Sequence, residues 1–171
     1  MDHDMNGGNS SFWEVLGERP IGFTLVTALS ADGPVGFIGL SVAHVSADPP
    51  LVSVAIDARN KVRGAIERSG GFAVNFLSAN NESVGRGFLK KGACRSERFN
   101  PTDWTKFATG SPILLNALGV FDCEVVQHID LEHTHLLVGR AVRSWSAGEG
   151  APLIFFRGAL GTLPIERQSS D

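Results

Sequence analysis

Residues 36–61, GFIGLSVAHVSADPPLVSVAIDARNK, with GGFAVNFL at 70–77 close behind, restrict the fold more than any other part of the chain. The stretch joins a strand of small residues, a Pro-Pro break, an apolar strand and a basic helix start. Glycines and alanines at 36, 39 and 43 leave room for something to approach the backbone. Asp48-Pro49-Pro50 interrupts pairing, because neither proline has an N–H to give to a ladder. Strands broken by short helices in this way suit an antiparallel barrel better than a doubly wound parallel sheet.

The rest of the chain agrees. Ser11-Phe12-Trp13-Glu14 is a capping-box pattern and predicts a short helix ending near Gly17. Strands are expected over 21–29, 35–45, 51–56 and 72–77, with a turn at Asp32-Gly33 and a helix over 59–68 closed by Gly70-Gly71. Asn80 or Asn81 is placed to cap a second helix reaching about Leu89. Residues 90–110 read as a loop anchored by Trp104. Beyond Leu114 the pattern is long strands, at 120–125, 133–145 and 153–160. In the first of these, Phe121, Cys123 and Val125 face one way and Asp122 and Glu124 the other. The expectation is one mainly β domain with short helices over 11–162, a flexible segment 1–10 and a tail 163–171.

Composition narrows the function. A chain of 171 residues supports one domain with a proper core. Its net charge of −3, with no basic block, argues against nucleic acid as the main partner. No apolar run approaches the ~18 to 20 residues of a membrane helix. The opening MDHDMNGGNSS lacks the basic and apolar regions of a signal peptide, so the expected location is cytoplasmic. Cys94 and Cys123 stand far apart without a CxxC partner, which suggests neither a disulfide framework nor a zinc site. With no tyrosine in the chain, proton handling falls to histidine, a carboxylate or water.

Four groups of residues have the chemistry for a site. Asp57-Ala58-Arg59-Asn60-Lys61 lies at a strand-to-helix junction, where unpaired backbone N–H groups and two cations form an anion socket; a solvated helix start is the plainer reading. Ile38-Gly39-Leu40-Ser41 offers an apolar wall and backbone edge groups, or else an ordinary barrel strand. Slot and socket together have the shape and charge that a flavin mononucleotide requires. Asn75 interrupts an apolar run, so its amide serves either a neighbouring loop or a ligand edge. His133 and His135, two apart, would share one strand face, with His128 upstream, but no further metal ligand is evident. A structural role for these histidines competes with one beside a nicotinamide. Gly85-Arg86-Gly87 is not followed by a glycine at 90, and neither a Walker loop nor a GxSxG elbow is present.

With these residues in view, the chain resembles the flavin reductase family of FMN-binding split barrels. The likeness runs from about Phe12 to Gly158. It rests on GFTLVTALSADG (22–33), SADPPLVSVAID (46–57), GGFAVNFL (70–77), SPILLNAL (111–118), FDCEVV (121–126), EHTHLLVG (132–139) and APLIFFRG (151–158) in that order. The resemblance implies a homodimer binding FMN or FAD at the subunit junction. It implies hydride transfer from NADH or NADPH to flavin, with reduced flavin passed to a partner flavin-dependent monooxygenase. It also leaves open a retained FMN serving another acceptor, such as a cobalt corrinoid, or a barrel that binds flavin without reducing it. By the same resemblance, Thr27, Ile38, Gly39, Leu40 and Ser41 would line the ring. Ala58, Arg59, Asn60 and Lys61 would take the phosphate, with Ser46 nearby. Phe72, Ala73 and Asn75 would border ribityl and ring, while His133 and Arg157 would sit at the nicotinamide. The chain departs from the family where Thr-Ala-Ser-Ser-Phe is common: it has Ile38-Gly39-Leu40-Ser41-Val42, two hydroxyls fewer. Phe155-Phe156 likewise stands where relatives often carry tyrosine.

Overall fold

A computed structural model describes residues 10–163. The expected loose ends, 1–10 and 163–171, lie outside it apart from Ser10 and Leu163. In chain order the elements are α1 (Phe12–Gly17), β1 (Ile21–Gly22), β2 (Thr24–Ser30), β3 (Gly33–Ile38), β4 (Ala43–Ala47), β5 (Pro50–Asp57), α2 (Val62–Ser69) and β6 (Gly71–Phe76). There follow α3 (Glu82–Leu89), α4 (Arg95–Arg98), β7 (Trp104–Lys106), β8 (Pro112–Leu114), β9 (Gly119–Leu131), β10 (Thr134–Ser146), β11 (Leu153–Phe156) and β12 (Ala159–Thr162). The mainly β, antiparallel expectation holds.

Seven strands form the main sheet in the order β3-β2-β6-β9-β10-β5-β4, every neighbour antiparallel. Its two edges, β3 and β4, are consecutive in sequence yet share no ladder among the described residues, so the barrel is split there. The side chain of Ser41, in the turn between them, closes part of the gap. Its Oγ donates to Ala55 O at 2.9 Å and accepts from Ala55 N at 3.1 Å on β5.

The central pair β2 and β6 is covered on both faces, which is why residues 24–28 and 71–75 are buried without alternation. One core cluster gathers Val26, Val54, Phe72, Val74 and Leu137 around Ile66 of α2. A second gathers Phe23, Leu25, Leu77, Phe88, Ile113 and Leu153 on the opposite side. A polar side chain in such a strand needs internal partners. Asn75 has three: its Nδ2 donates to Leu25 O at 3.1 Å and Thr27 Oγ1 at 3.2 Å, and its Oδ1 accepts from Leu114 N at 2.8 Å.

The capping box at Ser11 and Glu14 is present, with both bonds made. Several expected boundaries move. The single strand expected over 35–45 is two, because the chain turns at residues 40–42. The helix expected from Arg59 begins at Val62, because Asp57 accepts the Arg59 N–H at 2.8 Å and Asn60 Oδ1 accepts the Val62 N–H at 3.0 Å, holding a turn ahead of it. Residues 90–110 are not all loop: they hold α4 and β7, and β7 pairs with β8. Trp104 is the expected anchor, 4.8 Å from Phe99 between ring centroids. The strand expected over 153–160 is the hairpin β11–β12, turned at Arg157-Gly158, both with positive φ.

Candidate active site

A cleft of about 770 Å³ opens between α1, the end of β3 and the β11–β12 turn. Trp13 and Leu16 of α1 line it on one side, Ile38 and Leu40 also line it, and so does Phe155. Glu18, Arg19 and Arg157 also line it. Two contacts fix α1 over this space. The Arg157 N–H donates to Gly17 O at 3.2 Å, and its guanidinium donates to Glu18, from Nη2 to Oε2 at 2.6 Å and from Nε to both oxygens at 3.0 and 3.1 Å. These bonds raise the Arg157 pKa above its ordinary value. Arg157 also lies 5.0 Å from the Phe156 ring centroid.

The second part of the site is the loop after β5. Ala58 N donates to His133 O at 3.0 Å, which brings the β9–β10 turn against it. Arg59 folds back on Asp57, with Nε to Oδ1 at 3.0 Å and Nη2 to Oδ2 at 2.8 Å. Those hydrogen bonds hold the Asp57 carboxyl well below the usual carboxylate range, helped by the positive charge of Arg59 and the nearby His133. Lys61 is exposed at the N-cap of α2 and carries no side-chain capping bond. β5 links the two parts, since Ala55, tied to Ser41, is three residues from Ala58, roughly 10 Å along a strand. That is the reach of a phosphorylated five-carbon chain.

The structure thus brings Ile38, Leu40, Ser41 and Arg157 to one cleft, and Ala58, Arg59, Asn60, Lys61 and His133 to one loop cluster. The other expected site residues fall elsewhere. Thr27, Phe72, Ala73 and Asn75 are fully buried on β2 and β6, where both sheet faces are covered, so they border no open surface. Thr27 Oγ1 donates to Pro112 O at 2.5 Å and so serves the first residue of β8. Gly39 is buried too: a Cβ there would lie 2.6 Å from Val26 Cγ2, so its missing side chain admits protein, not ligand. Ser46 stands opposite Leu51, seven residues before Ala58 and so roughly 23 Å along β5 from the loop. It lines a separate apolar hollow with His44, Phe76 and Phe121.

Nor do His133 and His135 share a strand face. His133 is exposed in the turn, while His135 is buried with its Nδ1 2.7 Å from Nε2 of His128. Sequence reasoning missed Trp13, Leu16 and Glu18 as site residues. The capping box located α1, but nothing local told what it covers.

The cleft volume is in the usual range of ~300 to 1,000 Å³ for small-molecule sites. Apolar walls, with a basic loop three residues along β5 from the Ser41 contact, fit a flavin mononucleotide. Fold and site together define a flavin-binding split barrel. The family model for the flavin reductase like domain matches residues 16–164, and the chain belongs to that family. It is 35% identical over 147 residues to the reductase subunit HsaB of a flavin-dependent monooxygenase from Rhodococcus jostii RHA1, covering 86% of this chain and 74% of that one. It is 34% identical to the FMN reductase (NADH) SmoA of Agrobacterium fabrum C58, covering 91% and 87%. Among solved structures it is similar to nitrilotriacetate monooxygenase component B from Mycobacterium thermoresistibile, with TM-score 0.81, 30% identity and coverage of 92% and 91%. It is also similar to BorF, the flavin reductase component of a bacterial two-component tryptophan halogenase, with TM-score 0.82, 26% identity and coverage of 89% and 96%.

Proposed function

We propose that this protein is an NAD(P)H:flavin oxidoreductase that takes hydride from a nicotinamide nucleotide to FMN or FAD and supplies reduced flavin to a partner monooxygenase. The observation that carries the reading is an apolar cleft linked through Ser41, Ala55 and Ala58 to a basic strand-to-helix loop, in a chain of this family. Flavin, when bound, supplies the hydride acceptor; the protein supplies position. Ile38 and Leu40 offer apolar contact to the ring, and Ser41, already engaged with β5, holds that wall in place. Lys61 and Arg59 take the phosphate, Arg59 by exchanging its Asp57 partner for the ligand. His133, beside the same loop, orients the nicotinamide. The active form is a cytoplasmic homodimer built on one domain over 11–162.

Anaerobic addition of NADH and then NADPH to protein with FMN, and separately with FAD, tests the reading. Bleaching of the flavin band near ~450 nm, a position set by the cofactor, is the expected result. Bound flavin that stays oxidised under both nucleotides would make the barrel a binding module and overturn the proposal. Flavin that remains tightly bound through turnover would assign the electrons to another acceptor.

A further inference from the structure

Away from the cleft, β9, β10 and α2 bring two histidines and two carboxylates together. In the β9–β10 ladder Asp130 stands opposite His135 and His128 opposite Leu137, so the two histidines are diagonal neighbours. Nε2 of His128 lies 2.7 Å from Nδ1 of His135, and their ring centroids are 4.8 Å apart. Each ring also has a carboxylate in reach. Glu67 Oε1 is 3.6 Å from His128 Nδ1, and Asp130 Oδ1 is 3.8 Å from His135 Nδ1. α2 presents Arg63 as well, whose Nη1 donates to Glu67 Oε1 at 2.7 Å. β5 sets uncharged Ile56 beside His135, and the turn adds exposed His133 two residues away. These contacts meet the loop from β5 to α2 at both its ends. Ala58 N donates to His133 O at 3.0 Å, and Arg63 N donates to Asn60 O at 3.1 Å.

We propose that His128 and His135 are positioning residues for the flavin phosphate: sharing one proton they brace the loop from β5 to α2, and protonation of both rings releases it. The inference rests on Arg59 and Lys61 of that loop holding the phosphate. At 2.7 Å one hydrogen fits between the facing nitrogens, so one ring donates and the other accepts. Once both rings are cationic, both facing nitrogens carry hydrogen and the contact cannot persist. Water does little to relieve the repulsion, since the His135 side chain is 9% exposed. Each imidazolium then turns to its own carboxylate, and His128 competes with Arg63 for Glu67. The link between α2 and the β9–β10 hairpin opens, and the loop loses the brace that joins its two ends. Imidazole is the side chain that changes charge near neutral pH, so the release falls within a working range.

Fluorescence titration gives Kd for FMN and for riboflavin between about pH 8 and about pH 5.5, the range in which imidazole titrates. The parent is compared with His128→Gln and with His135→Asn. Glutamine keeps a polar group near the place of Nε2, asparagine near that of Nδ1, and neither takes a proton. The phosphate of FMN gains a proton over the same range, equally for all three proteins, so the quantity compared is the parent-to-variant ratio of Kd. For FMN this ratio is expected to rise about five- to tenfold as the pH falls, the scale of one lost hydrogen bond. For riboflavin it should stay flat. His133→Ala, which removes the third imidazole, should keep the parent's profile. An FMN ratio that is flat for both variants, that falls with pH, or that moves equally for riboflavin overturns the inference, as does a profile lost in His133→Ala. A parent that binds riboflavin as tightly as FMN at the alkaline end overturns the phosphate site itself, a result distinct from a flat ratio.

Discussion

Three hydrogen bonds join the Asn75 amide to β2 and to Leu114 at the end of β8, in a place with no access to water. Leucine has nearly the same volume but no acceptor for the Leu114 N–H. Asn75→Leu is therefore expected to lower stability by about 2 to 3 kcal/mol, because a buried donor left without a partner loses its full solvation. The check is a lower urea midpoint at unchanged slope. From sequence, Asn75 served a loop or a ligand with equal force, since an amide between apolar residues signals only that it has partners. The choice depended on Leu114, 39 residues away. His133 was legible as a candidate but not its setting, because a turn residue and a strand residue look alike in EHTHLL. His133→Ala should raise KM for NADH about fivefold, the scale of one hydrogen bond, and leave flavin affinity close to the parent's. Identical NADH kinetics in the two proteins would remove His133 from the site.

Among elements, the loop from β5 to α2 has the clearest chemical logic. Three of its backbone donors are satisfied within the protein, Ala58 N by His133 O, Arg59 N by Asp57 Oδ1 and Asn60 N by Asp57 O. What these leave for a phosphate is chiefly side-chain charge. Arg59→Gln/Lys61→Gln should thus weaken FMN at least about tenfold while leaving riboflavin, which has no phosphate, nearly unchanged. Fluorescence titration of both ligands decides it: equal losses would mean that the loop acts on the ring or on folding. The basic cluster was plain in the sequence, because Arg-Asn-Lys at the end of an apolar strand needs no distant partner to be noticed. The start of α2 was not, since it depends on Asp57 and Asn60 side chains competing for amides that a helix would otherwise order. The break between β3 and β4 was hidden for a similar reason: Gly39-Leu40-Ser41-Val42 continues an apolar strand pattern. Only the bond from Ser41 to Ala55 shows why the chain turns there.

For the whole molecule, antiparallel strands with small helical insertions followed from the order and spacing of apolar segments, and the seven-stranded sheet agrees. Assembly is written less locally. α1 has six residues, none buried, and Phe12, Trp13 and Val15 are 72%, 76% and 63% exposed. A helix so short does not persist in water on propensity alone, and clustered apolar side chains of this size mark a contact surface. The same helix walls the cleft, so a partner covering its outer face would also steady the site. The protein is accordingly expected to sediment at micromolar concentration as a dimer of its 18.2 kDa chain. Phe12→Ser/Trp13→Ser should shift it to monomer with an unchanged far-ultraviolet spectrum, and should lower reductase activity as α1 loosens over Ile38 and Leu40. Burial of more than about 1,000 Å² in total is needed for such a dimer to hold, so the double substitution should act strongly. A parent that sediments as a monomer would rule out the dimer. A variant that stays dimeric would move the interface away from α1, to another face of the barrel.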